Sequence, residues 1–455
     1  MQQAFLTVDL GFGDAGKGSI VDFLTRTYDA HTVVRYNGGA QAGHRVVMSG
    51  IPLQEHVFSQ FGSGTLAGAS THLSQYMLID PLAMEAEAEH LQTLGIADPF
   101  AHTTIDERAL IVTPFQRAAN RLQELSRGDQ RHGSCGMGIG ETMADYLQYG
   151  DQVLFARHLR NPATVRMRLE WLRRLNLSKV TALRPSLPQI EQADREWAML
   201  TDPDRLEEFV DVYSNVATRA RIVPGNYLSH LLQRAGTVIF EGAQGVLLDE
   251  WHGFHPHTTW STTTLAHANR LLAAADYAGH VVRIGITRAY ATRHGAGPFV
   301  TEDAALTRAL PDACNGTNDW QQGFRVGWLD LVMLRYALEV IGALDYLALT
   351  CVDRLSALPT VQICRRYHYD TFIVERLTRA SHGQGAAMLA YQEQLTHNLT
   401  RCRPCLEPLA HPSDLPGILA ADLGLPVGLI STGPTAADKR LVEGDDAVTY
   451  RVIFA

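Results

Sequence analysis

A glycine-dense turn near the start of the chain carries the residues best suited to phosphate chemistry. It reads Gly11-Phe-Gly-Asp-Ala-Gly-Lys17-Gly-Ser19 and joins an apolar, strand-like run, roughly residues 4–10, to a segment with helical spacing. Backbone N–H groups at a helix start that follows glycines bind phosphate. The turn matches most of the P-loop motif, but Gly18 occupies the position at which that motif has a magnesium-binding Ser or Thr. We therefore predict a phosphate-binding loop of unusual type.

Asp14 and Lys17 give this turn its chemical interest. The chain has 39 basic residues but only three lysines, Lys17, Lys179 and Lys439. A lysine inside the turn indicates a site that needs a compact point charge rather than a planar guanidinium. A carboxylate beside phosphates is repulsive unless a metal ion or a proton transfer employs it, so Asp14 is a candidate base or metal ligand. The alternative is an ordinary tight turn with a capping aspartate.

A second glycine-dense turn, residues 36–44, follows an apolar strand pattern at residues 31–35. Ligands in open α/β sheets collect at the carboxyl ends of strands, so the two turns are expected to face one crevice. His44 ends the second turn, and its neighbours Gly43 and Arg45 argue against a buried structural histidine. We predict that His44 donates or accepts a proton in the site.

Four further buried strand patterns precede polar or glycine-rich turns, at residues 237–241, 281–286, 346–350 and 427–431. Helical patterns fill much of the remaining chain, among them a charged stretch from 155 to about 221 whose arginines are typical of solvated faces. Residues 302–326 lack periodicity, which predicts a long functional or mobile loop. With no linker or internal repeat, we predict one α/β domain spanning residues 1–455.

The composition is that of an ordinary globular protein, with 46% apolar and 19% charged residues. The net charge of −9 argues against a nucleic-acid partner but leaves small anions bound through a locally basic site. No signal peptide or apolar run of membrane-spanning length is present, and six cysteines suit a reducing compartment, so we expect no membrane association and a cytoplasmic location. Cys402 and Cys405 form a lone C-x-x-C, which favours free thiols over zinc.

Three other segments carry candidate site residues. Four glycines between Gly133 and Gly140 indicate a functional loop. The three histidines between 252 and 257 invite a metal site, but Pro256 breaks any helix and no fourth ligand is near. Asp353 follows a strand, where it is either a guanine-reading carboxylate or a helix cap.

With these residues in place, the chain resembles the adenylosuccinate synthetases. Eight segments carry the resemblance in the family's order: Gly13-Asp-x-Gly-Lys17-Gly, Gly38-Gly-x-x-Ala-Gly43-His44, Phe240-Glu-Gly-Ala-Gln244-Gly-x-Leu-Leu-Asp249, Pro256-x-x-Thr259, Thr292-Arg-x-Gly-x-Gly-Pro-Phe299, Gly327-Trp-Leu-Asp330, Leu349-Thr-x-x-Asp353 and Ser431-x-Gly-Pro434. The family joins L-aspartate to the 6-position of IMP at the expense of GTP, with Mg²⁺. The resemblance implies a large, twisted, mainly parallel sheet flanked by helices, similar to the P-loop NTPases, and a homodimer.

The resemblance also assigns residues. The catalytic set is Asp14, Lys17, His44 and Gln244. The nucleotide set is Gly13, Asp14, Ala15, Gly16, Lys17, Gly18, Ser19, Gly43, His44, Arg45, Cys351, Asp353, Ser431 and Gly433. The purine-substrate set is Asp14, Lys17, Gln41, Ala42, Gly43, His44, Ser134, Cys135, Gln244 and Thr259. The amino-acid substrate set is Asn318, Gln322 and Arg325, and Mg²⁺ would be held by Asp14 and the carbonyl of Gly43.

Several positions depart from the family pattern. A Thr-Thr pair is Ser134-Cys135 here, and the arginine lent by a neighbouring subunit falls near Tyr149. The arginine-rich loop before Gly327 retains clearly only Arg325. Two partners of the guanine-reading aspartate are Cys351 and Thr435, which leaves ATP open beside GTP.

These departures resemble the divergent branch that contains phage enzymes making 2-aminoadenylosuccinate from dGMP. The segments that carry this likeness are 59–65, 133–136, 258–261 and 318–321. Phage members typically lack an aspartate at the position of Asp14, which is present here. We therefore predict a ligase acting on IMP, with (d)GMP as the alternative purine nucleotide. A catalytically weak nucleotide sensor is the alternative of another class.

Overall fold

The structure is a computed structural model that describes residues 2–50, 53–128, 131–312, 315–316, 320, 323–381 and 383–442. Within these residues the strands are β1 (Gln2–Asp9), β2 (Thr32–Arg35), β3 (His44–Met48), β4 (Gln54–Phe58), β5 (Ser70–Leu73), β6 (Leu78–Ile79), β7 (Thr103–Asp106), β8 (Leu110–Ile111), β9 (Arg221–Val223), β10 (Gly236–Glu241), β11 (His280–Arg288), β12 (Ala291–His294), β13 (Phe324–Gly327), β14 (Leu329–Asp330), β15 (Tyr346–Thr350), β16 (Gln362–Tyr369), β17 (Phe372–Val374), β18 (Arg403–Pro408), β19 (Val427–Ser431) and β20 (Lys439–Leu441). The α-helices are α1 (Lys17–Thr27), α2 (Pro81–Thr93), α3 (Pro114–Ser126), α4 (Ile139–Tyr149), α5 (Pro162–Val180), α6 (Glu191–Thr201), α7 (Leu206–Arg219), α8 (Tyr227–Leu232), α9 (Ala266–Ala274), α10 (Ala304–Ala309), α11 (Leu331–Ile341), α12 (Ala386–Leu399) and α13 (Leu415–Leu423).

Among the described residues, ten strands form one sheet in the order β20-β19-β15-β11-β1-β10-β2-β5-β7-β9. Neighbouring strands are parallel except for the antiparallel pair β19 and β20. The six strands predicted from sequence are consecutive neighbours in this order, from β19 to β2. The predicted α/β class with a mainly parallel sheet is therefore confirmed, and the loops after these six strands meet at one edge.

β1 lies inside the sheet because both of its faces are apolar. Ala4, Leu6 and Val8 join one core cluster, while Phe5 points to the opposite face. On that second face Phe5 packs with Ile20, Val21 and Leu24 of α1, and all four side chains are fully buried. Burying such a side chain contributes about 1.5–3 kcal/mol. This packing fixes the end of β1 and the start of α1, and thereby the turn between them.

The charged stretch from residue 155 to 221 is helical, as predicted, and contains α5, α6 and α7. These helices and α3 share a second apolar core. Arginines of α5 form ion pairs at the surface, including Arg166 with Glu207 and Arg174 with Glu170. The solvated-face interpretation therefore holds for these two arginines. That the whole chain forms one domain remains a prediction.

The prediction of a structureless loop over residues 302–326 is wrong for part of that stretch. The side chain of Asp303 caps the short helix α10 by accepting hydrogen bonds from the N–H groups of Ala305 and Leu306 at 2.7 and 3.0 Å. β13 then pairs antiparallel with β12, which lies more than 25 residues earlier. Such a short strand depends on a distant partner, so local periodicity does not reveal it.

No helix in the described part of the chain is long and apolar enough to span a membrane. Among the same residues, no group of three or more His, Cys, Asp or Glu side chains is arranged to hold a metal ion. This includes the histidine segment at 252–257. The thiols of Cys402 and Cys405 are free.

Candidate active site

A cavity of about 1470 Å³ opens at the carboxyl ends of the central strands. It is larger than a pocket for one small ligand, which is about 300–1,000 Å³. The residues predicted for the site that line it are Gly13, Asp14, Gly16, Lys17, Gly18, Ser19, Gln41, Ala42, Gly43, His44, Arg45, Ser134, Cys135, Gln244, Thr259, Cys351, Asp353, Ser431 and Gly433. The structure thus brings together residues more than 400 positions apart in the chain. Their individual binding roles remain predictions.

Asp9, at the end of β1, organises the phosphate loop. Its carboxylate accepts hydrogen bonds from the N–H groups of Gly11 and Ala15 at 2.8 and 3.0 Å. The same carboxylate pairs with the buried ammonium of Lys17 at 2.7 Å. The N–H of Ala15 therefore points to Asp9, and Ala15 does not line the large cavity. Asp9 holds both ends of the turn in place, which sequence reasoning did not anticipate.

The first turn of α1 is open to an anion. The helix starts after Gly16, which has φ of 87°, and no side chain caps its N-terminus. The first N–H groups of a helix lack partners within the helix, and the helix dipole favours negative charge there. Gly16, Lys17, Gly18 and Ser19 line the cavity at this point. The local geometry is that of a phosphate-binding helix start.

Gly18, the residue that departs from the P-loop pattern, lies directly against His44. A Cβ atom at position 18 would meet the carbonyl carbon and the Cβ of His44, both at 2.8 Å. Real Cβ atoms essentially never approach so closely, and the clash involves backbone that has little freedom to move. Glycine is therefore required here because α1 and the second glycine turn are in contact.

Restoring the P-loop hydroxyl should damage the site rather than improve it. We expect Gly18→Ser to lower kcat about 100-fold, because a shift of about 1 Å at a reacting group costs a factor of that order. Gly11→Ala is the matched control, since its Cβ would make an ordinary 3.5 Å contact with Asp9. Steady-state phosphate release from both variants checks this. Wild-type kcat in Gly18→Ser would contradict the packing argument.

His44 is held by Glu241 at the end of β10. The His44 Nδ1 lies 2.6 Å from Glu241 Oε1, and the two residues are separated by 197 positions in the chain. Ser63 supports the carboxylate with its N–H at 2.9 Å and with its hydroxyl. The Nε2 of His44 is buried without a hydrogen-bond partner in the described structure, although the ring lines the cavity. The ring is therefore oriented through Nδ1 and presents Nε2 as its free nitrogen.

The charges around this pair favour an ionised Glu241. Burial opposes ionisation, but the Arg35 guanidinium, His44 and the hydrogen bonds from His44 and Ser63 together lower the pKa of Glu241 to about 2. Burial lowers the pKa of His44, and this effect exceeds the opposing influence of Glu241. The neutral ring then donates its Nδ1–H to the carboxylate, so Nε2 carries the lone pair until negative charge arrives beside it.

Asp14 has a left-handed backbone, with φ of 59°. Its carbonyl accepts a hydrogen bond from the Arg288 Nε at 2.5 Å, and its Oδ2 lies 3.4 Å from His294 Nε2. Both neighbours come from the β11–β12 region on one side of β1. The Asp14 side chain remains 29% exposed, so its carboxylate is accessible from the cavity.

A ring of polar contacts surrounds Asp14. His294 Nε2 also lies 3.2 Å from Asn315 Oδ1, and Asn315 Nδ2 donates to Asp312 at 3.1 Å. Asp312 in turn pairs with Arg288 at 3.4 Å. Because both oxygens facing His294 Nε2 are acceptors, that nitrogen carries the proton. His294 and Arg288 were not predicted as site residues.

Gln244 and Thr259 form a direct contact. The Gln244 Nε2 donates to the Thr259 hydroxyl at 2.8 Å, which leaves Gln244 Oε1 buried without a partner. Both atoms of the Gln41 amide are also buried and unpartnered in the described structure. Buried amides without partners are rare and costly, so these groups are suited to a polar ligand.

Ser134 and Cys135 belong to the glycine-rich segment before α4, which also lines the cavity. The N–H groups of Gly133 and Ser134 donate to Glu124 at 3.1 and 3.4 Å, and the Ser134 hydroxyl donates to Asn120 at 2.9 Å. Burial raises the pKa of the Cys135 thiol, so it stays neutral. Ser134 and Cys135 therefore offer uncharged groups to a ligand.

Residues that follow the neighbouring strands β15 and β19 line one end of the cavity. Cys351 follows β15 with φ of 58°, and Asp353 lies in the first turn of the short 3-10 helix Val352–Ala357. At the end of the adjacent strand β19, the Ser431 hydroxyl donates to the carbonyl of Gly433 at 3.1 Å. The Thr350 hydroxyl donates to the carbonyl of Ala15 at 2.8 Å and so connects this end to the phosphate loop.

Of the predicted amino-acid set, the structure describes only Arg325. Arg325 donates to Glu302 at 2.7 Å and to the carbonyls of Gly295 and Gly297 at 2.6 and 3.1 Å, and it does not line the cavity. Asn318 and Gln322 lie outside the described residues. Their assignment to an amino-acid substrate remains a prediction.

Comparisons with known proteins agree with this architecture. A solved adenylosuccinate synthetase from Plasmodium falciparum, fully ligated, superposes with a TM-score of 0.75 at 19% identity, covering 96% of this chain and 99% of its own. The succinoaminodeoxyadenylate synthetase of cyanophage S-2L, solved with dGMP and dATP, superposes with a TM-score of 0.61 at 16% identity, covering both chains fully. At these identities the two structures establish a shared fold.

Sequence comparison goes further. The chain is 35% identical over 374 residues to the adenylosuccinate synthetase of Chlorobium chlorochromatii, covering 81% of this chain and 80% of that protein. The sequence model of the family described as adenylosuccinate synthetase matches residues 7–439. The match includes both glycine turns, the β10 and β15 segments and the loop after β19. This chain is therefore a member of the adenylosuccinate synthetase family.

Proposed function

We propose that the chain is a carbon–nitrogen ligase that joins L-aspartate to C6 of IMP at the expense of GTP, giving adenylosuccinate. The observation that carries this proposal is the convergence of Asp14 and His44 beside the helix start that follows the phosphate loop. A carboxylate, a histidine with an unpartnered Nε2 and a phosphate-binding loop are the groups needed to activate a purine carbonyl with a nucleoside triphosphate.

Asp14 acts first, as the base. Its carboxylate takes the N1 proton of the purine, and the electron pair moves to the 6-oxygen, which becomes an oxyanion. That oxyanion attacks the γ-phosphorus, and the bond between the γ-phosphorus and the β,γ-bridging oxygen breaks. The products of this step are a 6-phosphoryl purine and the nucleoside diphosphate. The poor oxygen leaving group has become a phosphate.

His44 stabilises the same oxygen. Negative charge near Nε2 favours the protonated ring. In that state Nε2–H donates a hydrogen bond to the oxyanion, while Nδ1–H keeps its hydrogen bond to Glu241. Lys17 and the N–H groups at the start of α1 balance charge on the transferred phosphoryl group. The aspartate amine then attacks C6, the C6–O bond breaks, and the 6-oxygen leaves as part of the phosphate, which takes up the proton that the amine loses.

The residues present suit a bound Mg²⁺. The Asp14 carboxylate and the Gly43 carbonyl both belong to the cavity wall, and both are oxygen ligands. Mg²⁺ is usually bound by one or two carboxylates and keeps waters and substrate phosphates as its other ligands. When bound there, the ion would neutralise charge on the nucleotide phosphates and relieve their repulsion from Asp14.

We assign the nucleoside triphosphate base to the end of the cavity near Asp353. A carboxylate accepts hydrogen bonds from the N1–H and 2-amino groups of guanine, which favours GTP. Cys351 and Thr435 replace the family's usual partners of this aspartate, so ATP is the alternative co-substrate. L-Aspartate is proposed as the amino acid from family membership alone. Arg325, the described residue of the amino-acid set, does not support it directly because it pairs with Glu302.

The second candidate substrate is (d)GMP, giving 2-amino-(deoxy)adenylosuccinate by the same chemistry. Cys135 and Trp260 favour it, since both line the cavity and both belong to segments that resemble the phage branch. Asp14 opposes it, because the phage members that accept a 2-amino group typically lack this carboxylate.

We further propose that the enzyme works as a cytoplasmic homodimer. Tyr146 and Leu147 of α4 are exposed by 38% and 69%, next to the cavity, which suits a partner surface. Sedimentation velocity tests this directly, and a monomer at micromolar concentration would contradict it.

An isotope experiment tests the proposed reaction. IMP labelled with ¹⁸O at the 6-position is incubated with GTP, aspartate and Mg²⁺, and the released phosphate is analysed by mass spectrometry. We expect the label in the phosphate, because the 6-oxygen leaves bound to phosphorus. Adenylosuccinate formed together with unlabelled phosphate would rule out the 6-phosphoryl intermediate.

A further inference from the structure

Lys439, the first residue of β20, is a buried cation that the reaction does not use. Its side chain is 7% exposed at the edge of the central sheet. Its Nζ lies 2.8, 3.3 and 3.4 Å from the carbonyl oxygens of Thr435, Gly433 and Pro434. An ammonium group has three N–H donors and no acceptor, so it matches three consecutive carbonyls.

Those carbonyls belong to the turn between β19 and β20, which borders the cavity through Gly433 and Pro434. Asp438 closes the same turn from the other side, because its carboxylate accepts from the N–H and the hydroxyl of Thr435 at 2.8 and 2.7 Å. The N–H of Thr432 donates to the Asp438 carbonyl at 2.9 Å. With its carbonyls turned inward onto one ammonium, the turn depends on Lys439 for its shape.

Ionisable groups on its own turn, on α1 and after β15 lie near Lys439. Burial lowers the pKa of Lys439 to about 8, against the opposing influence of Asp438, Asp22, Cys351 and Asp353. Asp22 belongs to α1, whereas Cys351 and Asp353 follow β15. Burying a cation among neutral carbonyls costs free energy of folding, so we expect Lys439 to have a specific role at this position.

We propose that Lys439 is the positioning residue for the base of the nucleoside triphosphate, holding the Gly433–Thr435 turn in the shape that meets the base opposite Asp353. This inference rests on the proposed function, in which that end of the cavity binds the base. Lys439 acts through the turn and does not touch the reacting atoms. Its loss should therefore weaken the binding of the nucleotide and leave the chemical step intact.

The test compares Lys439→Met, which keeps an apolar stem without donors, with Arg440→Met, which changes the exposed neighbour. We expect Lys439→Met to raise the KM for GTP about tenfold or more, since charge-assisted hydrogen bonds are lost. The KM for IMP and kcat at saturating GTP should change less than about twofold, and Arg440→Met should match the wild type. An unchanged KM for GTP, or equal losses in all three parameters, would overturn the proposal.

The pH dependence provides a second readout. Below pH 8 the ammonium donates three hydrogen bonds, whereas the neutral amine above that pH has two donors and no charge. The KM for GTP of the wild type should therefore rise between pH 7 and pH 9. This rise should be absent in Lys439→Met and in Lys439→Arg, whose guanidinium stays protonated. A rise of equal size in all three proteins would count against Lys439.

Calorimetric titration with GDP separates this inference from the proposed function. GDP binding that weakens in Lys439→Met supports the inference even where IMP and aspartate give no turnover. Equal GDP binding by both proteins overturns the inference even where turnover is normal. A wild-type protein that binds neither GDP nor ADP overturns both.

Discussion

Replacing Asp14 with asparagine should reduce phosphate release by about 1,000-fold or more, within the range that a positioned general base contributes. The amide has the shape of the carboxylate but cannot take the N1 proton of the purine. Asparagine also tolerates the left-handed backbone at this position, where φ is 59°, so the turn should keep its form. GDP and IMP binding, measured by calorimetry, should remain within about tenfold of wild type.

Asp353→Asn is the matched control for this variant. It makes the same isosteric change at the other end of the cavity, where we expect a change in the KM for GTP with kcat largely preserved. Turnover of Asp14→Asn within tenfold of the wild type would remove Asp14 from the role of base. Loss of all nucleotide binding in that variant would instead indicate a collapsed loop.

Glu241→Gln should lower kcat about 100-fold or more while leaving the KM values for IMP and GTP nearly unchanged. The carboxylate accepts the Nδ1–H of His44 at 2.6 Å, and a glutamine amide can instead present a donor to that nitrogen. The ring then adopts the other tautomer and no longer gains from a negative partner when it is protonated. Steady-state kinetics with each substrate varied in turn checks this.

Ser63→Ala is the control for Glu241→Gln. It removes one hydrogen bond to the carboxylate but leaves the charge and the His44 contact in place. We expect a loss of kcat below about tenfold, in line with the cost of one hydrogen bond. Equal losses of kcat in Ser63→Ala and Glu241→Gln would indicate that the network serves packing rather than catalysis. A fall in the thermal midpoint of unfolding that accompanies the loss of kcat would indicate the same.

The central part of the fold follows from local sequence. β1, β10, β11 and β15 are buried on both faces, so each is a short, nearly continuous apolar run that ends at a polar or glycine-rich turn. Such strands can be recognised one at a time. β12 and β13 could not, because each is four residues long and is defined by the other.

The site residues also fall into those that the local sequence reveals and those that it does not. Asp14, Lys17 and His44 lie in turns whose glycine spacing marks them in the sequence. Glu241 is different, since its contact with His44 joins residues 197 positions apart, one at the end of β10 and the other at the start of β3. A signal was nevertheless present, because a carboxylate at the end of a buried apolar strand needs a buried partner.

His294 and Gly18 illustrate what only the three-dimensional arrangement supplies. His294 occupies a position that the pattern Thr292-Arg-x-Gly leaves unspecified, and its proximity to Asp14 depends on β12 lying next to the turn that follows β1. In the sequence, Gly18 indicates only that the hydroxyl of a P-loop Ser or Thr is missing. In the structure it is the point where α1 contacts the backbone of His44.

Asp14 acting as the base implies that the enzyme uses IMP together with aspartate. Phosphate release is followed with GTP or ATP, with and without aspartate, across IMP, dIMP, GMP and dGMP. We predict release that requires both aspartate and IMP, and that is faster with GTP. Release with dGMP and not with IMP would contradict the substrate assignment, and no release with any combination would favour a nucleotide sensor over a ligase.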